Sequence, residues 1–308
     1  VILALTAGGL GRVVRRLAGL APALALCLAV AGCDGQSNAP PAPPPDPLLY
    51  EIASVDGVVE GWMFGTIHAL PPGTRWTTPA IAETIAAADL LVVEIAALDD
   101  RERLAATFAE LAASPGLPPL AARVPPALAG PLTDLLARGG MSAGRFDGTE
   151  TWAAAISLAQ VDAVGDPASG VDRALLRDFA GRPVRELEGA RAQLAIFDRL
   201  PEAQQRAMLA AVVRESDRTR SDPARLQRAW LLGDAQAIAR STREGFLAEP
   251  ALREALLTGR NRRWAAALLP LLREAPRPLI AVGAAHLVGP DGLAALLEAQ
   301  GYRVRRLP

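Results

Sequence analysis

Two residues hold the only imidazoles in the chain, and their settings match. His68 closes Gly65-Thr66-Ile67-His68, and His286 closes Gly283-Ala284-Ala285-His286. Each follows a short apolar run and lies three residues after a glycine. Imidazole is the commonest protein ligand for transition metals and the usual proton carrier near neutral pH. One repeated Gly-x-x-His setting points to one job done at one place. Glycine ahead of each histidine permits a tight turn or a close approach of backbones, so the ring can be aimed back over a sheet edge.

A carboxylate completes the candidate set. Glu94 ends the apolar run Leu90-Leu91-Val92-Val93 and is expected to be poorly hydrated. A buried carboxylate needs a cation, a metal or strong donors, so an arginine partner and a place beside the histidines both stay open. Two histidines and one carboxylate form a ligand set for a catalytic divalent ion with an open position for water. Such an ion lowers the pKa of bound water and polarises a carbonyl. A metal-free alternative uses one histidine as general base, oriented by Glu94. The spacing is not His-Glu-x-x-His, so tertiary structure must assemble the site.

Further candidates surround this set. Glu186 and Glu188 share one face of a short strand by period two, and one of them is a candidate for the site. Arg260, in Arg260-Asn261-Arg262, could clamp an anion or pair with a buried glutamate. Asp172 follows Gly170-Val171 and reads as a cap or first-turn acid. Trp230 and Trp264 read as core.

The elements that must position these groups lie at both ends of the chain. Leu48–Val55 and Val58–Phe64 have strand character, with Asp56-Gly57 as a hairpin turn. Thr78-Pro79 opens a helix to about Ala88. Residues 99–272 are mostly helical by period, broken by one short strand over Pro183–Leu187 and ending in one long amphipathic helix over Pro250–Leu272. Leu90–Val93 and Leu279–Val282 are buried strands. Asp291 caps a helix through Gln300, Gly301 stops it, and Tyr302–Leu307 is a last strand. This order predicts an α/β domain whose mixed central sheet is built from both chain ends around a large helical insertion. Both histidines then fall beyond the C-terminal ends of strands, where open α/β sheets bind ligands.

Composition bounds the rest. The chain has 308 residues, 51% hydrophobic and only 4% aromatic, so aliphatic side chains supply the core. It has no lysine, so arginine supplies all its formal positive charge, and the net charge of −1 gives no electrostatic case for nucleic acid. Arg12, Arg15 and Arg16 precede an uncharged apolar run, Leu17–Ala31, of signal-peptide length. It ends in Val30-Ala31-Gly32-Cys33, which resembles a bacterial lipobox with Cys33 as the lipidated first mature residue. Pro- and Ala-rich residues 33–47 read as a tether, leaving 48–308 as the domain. Loss of residues 1–32, with three arginines and no acid, takes the net charge from −1 to −4. The mature domain then keeps no thiol for a disulfide or a metal.

Over residues 48–308 the chain resembles the TraB/GumN family, which is related to the Tiki metalloproteases. The carrying segments are Gly65-Thr66-Ile67-His68-Ala69-Leu70-Pro71, Leu91-Val92-Val93-Glu94, Gly170-Val171-Asp172 and Leu187-Glu188-Gly189 with Gln193. Later come Trp230-Leu231-Leu232-Gly233-Asp234, Arg260-Asn261-Arg262-Arg263-Trp264 and the block from Val282 to Leu293, closing with Gly301-Tyr302-Arg303-Val304. The resemblance implies metal-dependent peptide cleavage, with manganese or cobalt held by His68, His286 and Glu94. It carries Glu188, Arg260 and Asn261 over as further site positions. Glycine at 189 departs from the threonine usual there, which puts a hydroxyl role in doubt. The expectation is a divalent-metal-dependent hydrolase of peptide or small-molecule substrates, tethered at the bacterial cell envelope. Glu94 would serve as ligand or base, and Arg260 would stabilise an oxyanion. A non-catalytic peptide- or metal-binding envelope protein is the alternative, and a metal-free esterase-like hydrolase the third.

Overall fold

A computed structural model describes residues 43–274 and 276–308. The signal segment and Cys33 lie outside the described residues. Among those described, no helix is long and apolar enough to cross a membrane.

Six strands form one mixed sheet: β1 (Leu49–Ala53), β2 (Val59–Thr66), β3 (Leu90–Val93), β4 (Val184–Glu186), β5 (Pro278–Gly283) and β6 (Arg303–Arg306). Their order is β4-β3-β5-β2-β1-β6. The first four are mutually parallel, and β1 runs antiparallel between β2 and β6. Both chain ends therefore meet in one sheet, as the sequence predicts. Gly57, at φ 85°, makes the turn between β1 and β2.

The helices are α1 (Pro79–Ala87), α2 (Arg101–Ala112), α3 (Ala129–Arg138), α4 (Thr151–Ala159), α5 (Val171–Asp178) and α6 (Ala190–Asp198). They continue as α7 (Glu202–Ser221), α8 (Arg225–Leu231), α9 (Ala235–Ser241), α10 (Pro250–Arg253), α11 (Gly259–Leu272) and α12 (Leu293–Glu298). Thr78 caps α1 by accepting the Ile81 N–H, with Pro79 in its first turn.

Strands β3 and β5 are buried at every position. A parallel strand covered on both faces reads as a continuous apolar run rather than an alternating one. On one face Phe64, Leu91, Val93 and Leu279 pack with Ile81 of α1, Val171 and Leu175 of α5, and Trp230 of α8. On the other, Met63, Val92, Ile280 and Val282 pack with Trp264 and Leu268 of α11 and Leu293 and Leu297 of α12. A third cluster, centred on Trp152 of α4 and Leu209 of α7, holds the helical insertion together.

Two predicted helices come out differently. Pro250–Leu272 is not one α-helix: a π-helical stretch, Glu254–Thr258, separates α10 from α11. An extra residue in a turn leaves the apolar pattern nearly intact, so periodicity does not report it. The last helix starts at Gly292 without a side-chain cap. Asp291 instead gives its backbone carbonyl to the Asn261 amide at 2.7 Å.

Candidate metal and hydrolytic site

The four parallel strands deliver their following residues to one sheet edge. His68 follows β2, Glu94 follows β3, Glu188 follows β4 and His286 follows β5. Parallel pairing of Thr66 with Gly283 brings the two Gly-x-x-His segments side by side. A Cβ on Gly65 would stand 2.9 Å from the Cβ of Ala284, so contact between the two segments demands glycine there.

Gly283 marks where the groups converge. A Cβ added to it would lie 3.4 Å from Glu94 Oε1, 3.5 Å from His68 Nε2 and 3.7 Å from His286 Cδ2. The missing methyl leaves a cradle bordered by both imidazoles and the carboxylate. The Gly283 N–H donates to Glu94 Oε1 at 2.8 Å.

Each imidazole is held through Nδ1. His68 Nδ1–H donates to Asp172 Oδ2 at 2.7 Å, and Thr66 Oγ1 donates to Asp172 Oδ1 at 2.7 Å. His286 Nδ1–H donates to Asn261 Oδ1 at 2.5 Å. The Asn261 amide nitrogen is taken by the Asp291 carbonyl, which leaves its oxygen for the ring. Both rings therefore carry a proton on Nδ1, and the His286 Nε2, which faces an Arg260 N–H, is a lone-pair acceptor. This backing of a ring N–H by an oxygen acceptor is the support that metal-ligating histidines ordinarily have.

Arg260 is the cation at the centre. Its Nη2 donates to Glu94 Oε2 at 2.9 Å and to Glu188 Oε2 at 2.8 Å, and its Nε donates to Glu188 Oε1 at 3.0 Å. Nη1 donates to the Leu256 carbonyl at 3.1 Å and to His286 Nε2 at 3.3 Å. The Leu256 carbonyl belongs to the π-helical stretch, so that stretch both aims the guanidinium inward and accepts from it. All five N–H groups are engaged. An oxyanion role for Arg260 would therefore need one of these bonds released. Trp264 walls the group, 4.4 Å from the His286 ring and 4.5 Å from the guanidinium carbon.

Electrostatics follow from this packing. Burial raises the Glu94 pKa, but Arg260 and the two histidines more than offset it and hold the carboxyl well below its usual range. A carboxylate so stabilised is a poor proton acceptor. Burial likewise raises Asp172, and His68 outweighs it, leaving a net lowering. His286 is pushed down to about 3, first by burial and then by Arg260. Buried Glu94 and half-buried Glu188 thus face the one buried guanidinium of Arg260, while buried Asp172 pairs with His68, and Arg263 reaches Glu188 only from the exposed side at 4.0 Å. The surplus negative charge is costly to bury without a further cation.

His68, Glu94, Glu188, Arg260 and His286 all come together. Glu186 does not, because its carboxylate accepts the Ala96 N–H at 3.0 Å. Asp172 does sit in the first turn of α5, yet its carboxylate is the partner of His68 rather than a cap. Its sequence signals, a first-turn acid and a place in the Gly170-Val171-Asp172 segment, do not point to the histidine. Gln193 donates to Glu94 Oε2 at 2.8 Å, while its own buried carbonyl oxygen has no donor among the described residues. Among the described residues no group of three or more histidine, cysteine, aspartate or glutamate side chains is spaced as a ready metal cluster. Arg260 instead bridges Glu94 Oε2 and His286 Nε2.

A family model described as TraB/PrgY/gumN family matches residues 48–306. No curated protein and no solved structure matches the chain.

Proposed function

This chain belongs to the TraB/PrgY/gumN family, and from that premise we propose that it is a divalent-metal-dependent hydrolase of peptide or amide bonds. The observation that carries the reading is the paired backing of the imidazoles. Asp172 and Asn261 take both Nδ1–H groups, and the cradle at Gly283 has His68 Nε2 and Glu94 Oε1 on its border. The donor set of two imidazole nitrogens and a carboxylate suits manganese, cobalt or zinc. The surplus of buried carboxylates and the orphaned Gln193 oxygen fit the same reading. His68, His286 and Glu94 would hold the ion, with Arg260 releasing His286 Nε2.

A divalent ion held there would polarise the scissile carbonyl and acidify a bound water. The chain's own residues do the rest. Asp172 keeps the His68 ring in one tautomer and orientation. Asn261 does the same for His286. Glu94 stays anionic through Arg260, Gln193 and the Gly283 N–H, so it serves as a ligand rather than as a base. Glu188 fixes the guanidinium against which Glu94 rests. The orphaned Gln193 carbonyl, buried beside Glu94, is an acceptor for a water. Outside the described residues, lipid on Cys33 would tether the domain at the cell envelope, a reading that rests on the lipobox-like Val30-Ala31-Gly32-Cys33.

One observation favours a metal-free version of the same hydrolase. His68 keeps part of its ring exposed, pairs with Asp172 and has no partner for Nε2 among the described residues, which is the arrangement of a general base. Turnover separates the readings. Purified protein is incubated with a peptide library, with Mn²⁺ or Co²⁺ and after exhaustive chelation, beside His286→Ala. Cleavage that needs the ion and disappears in His286→Ala is expected. Undiminished cleavage after chelation selects the metal-free version. Ion binding without any cleavage overturns the hydrolase and leaves the binding protein.

A further inference from the structure

Beyond the cradle, one concave pocket has unassigned chemistry. It lies between the end of α9, the π-helical stretch and the loop after His286, with about 70 Å³ of room for water-sized groups. That space holds several waters or one small charged group. Its polar lining is Thr242, Arg243, Arg253, Thr258, Asn261 and Asp291. The two arginines are uncommitted: among the described residues neither makes an ion pair. Of the nearby acids, Glu244 pairs with Arg218 and Arg225 and Glu254 with Arg262, while Glu249, at the start of α10, makes no ion pair among the described residues. Exposed Arg243 and half-buried Arg253 against the single acid Asp291 give the lining residues a net positive charge.

The pocket abuts the site through Asn261. That side chain lines the pocket and also takes the Nδ1–H of His286 at 2.5 Å. A group bound there stands one side chain from the imidazole. We propose that this pocket is the subsite for a carboxylate of the substrate, a peptide's C-terminal or acidic side-chain group, held by Arg243 and Arg253. Guanidinium matches a carboxylate through paired N–H donors, and arginine rather than lysine suits such planar recognition. The subsite rests on the hydrolase reading and narrows it to substrates carrying a negative charge close to the bond that is cut.

Binding is read without metal or turnover. Protein labelled with ¹⁵N-arginine is titrated with N-acetylalanine, with its neutral amide of the same shape, and with inorganic phosphate, following the guanidinium signals. The expected result is a response of Arg243 and Arg253 to N-acetylalanine and none to the amide. Arg243→Gln or Arg253→Gln should weaken that binding by about tenfold or more, the effect of losing one charge-assisted bond, and Arg305→Gln on β6 should not. Equal response to the amide, response to phosphate alone, no response, or indifference to both pocket substitutions each overturns the proposal. An inactive protein that still binds N-acetylalanine here counts against the hydrolase alone. An active one that ignores it counts against the subsite alone.

Discussion

The residue with the most leverage is Asp172, because it decides what His68 can do. Its carboxylate is buried, accepts from Thr66 and from His68, and stays ionised through the histidine. Asparagine in its place keeps the shape and removes the charge. It can also present an amide N–H to Nδ1, which would turn the ring to the wrong tautomer. Asp172→Asn is expected to lower metal affinity or turnover about 10–100-fold, the usual effect of removing the backing of a ligand histidine. Titration with Mn²⁺ alongside the peptide assay checks this. Unchanged affinity and unchanged turnover would show that the Asp172 carboxylate serves packing only.

Strand ends and one irregular helix set the geometry at the scale of elements. Four parallel strands end on the same side of the sheet, β3 and β4 two residues short of β2 and β5, so residues far apart in sequence come together at that edge. The π-helical stretch Glu254–Thr258 then reorients the start of α11, turning Arg260 and Asn261 together toward that edge. Single π-helical turns inside α-helices are frequent at functional sites. The element-level test is Gly283→Ala. Gly283 has φ −49° and ψ 131°, which alanine tolerates, and the new methyl meets its neighbours at ordinary contact distances of 3.4 Å or more. The variant should fold with little change in thermal midpoint and should lose ion binding, because the methyl occupies the cradle. Retained ion binding would place the ion elsewhere.

Across the whole molecule, the site is bought with stability at low pH. The His286 pKa falls from 6.5 to about 3 in the folded chain, so between those values the unfolded chain binds a proton that the folded chain refuses. Stability therefore declines as pH drops through that window, by about 1.4 kcal/mol per pH unit for that proton. Glu94 and Asp172, both lowered on folding, add to the loss once pH enters the ordinary carboxylate range. Thermal melts of the metal-free protein should show the midpoint falling steadily from pH 7 to pH 4, and His286→Gln should flatten the slope above pH 5. A midpoint independent of pH in the parent protein would contradict the buried, neutral imidazole.

The amino-acid sequence by itself determined the sheet's membership, the hairpin, the cap at Thr78 and the candidates His68, His286, Glu94, Glu188 and Arg260. These follow from apolar runs, turn residues and rare side chains, which are local and survive without a partner. Tertiary structure alone decided that Asp172 and Asn261 back the two rings, that Glu186 turns away, and that Arg260 spends every donor inside the cluster. Hydrogen bonds between residues about 25 to 170 positions apart depend on which strand ends meet and how one helix turn is wound. Periodicity carries no record of either.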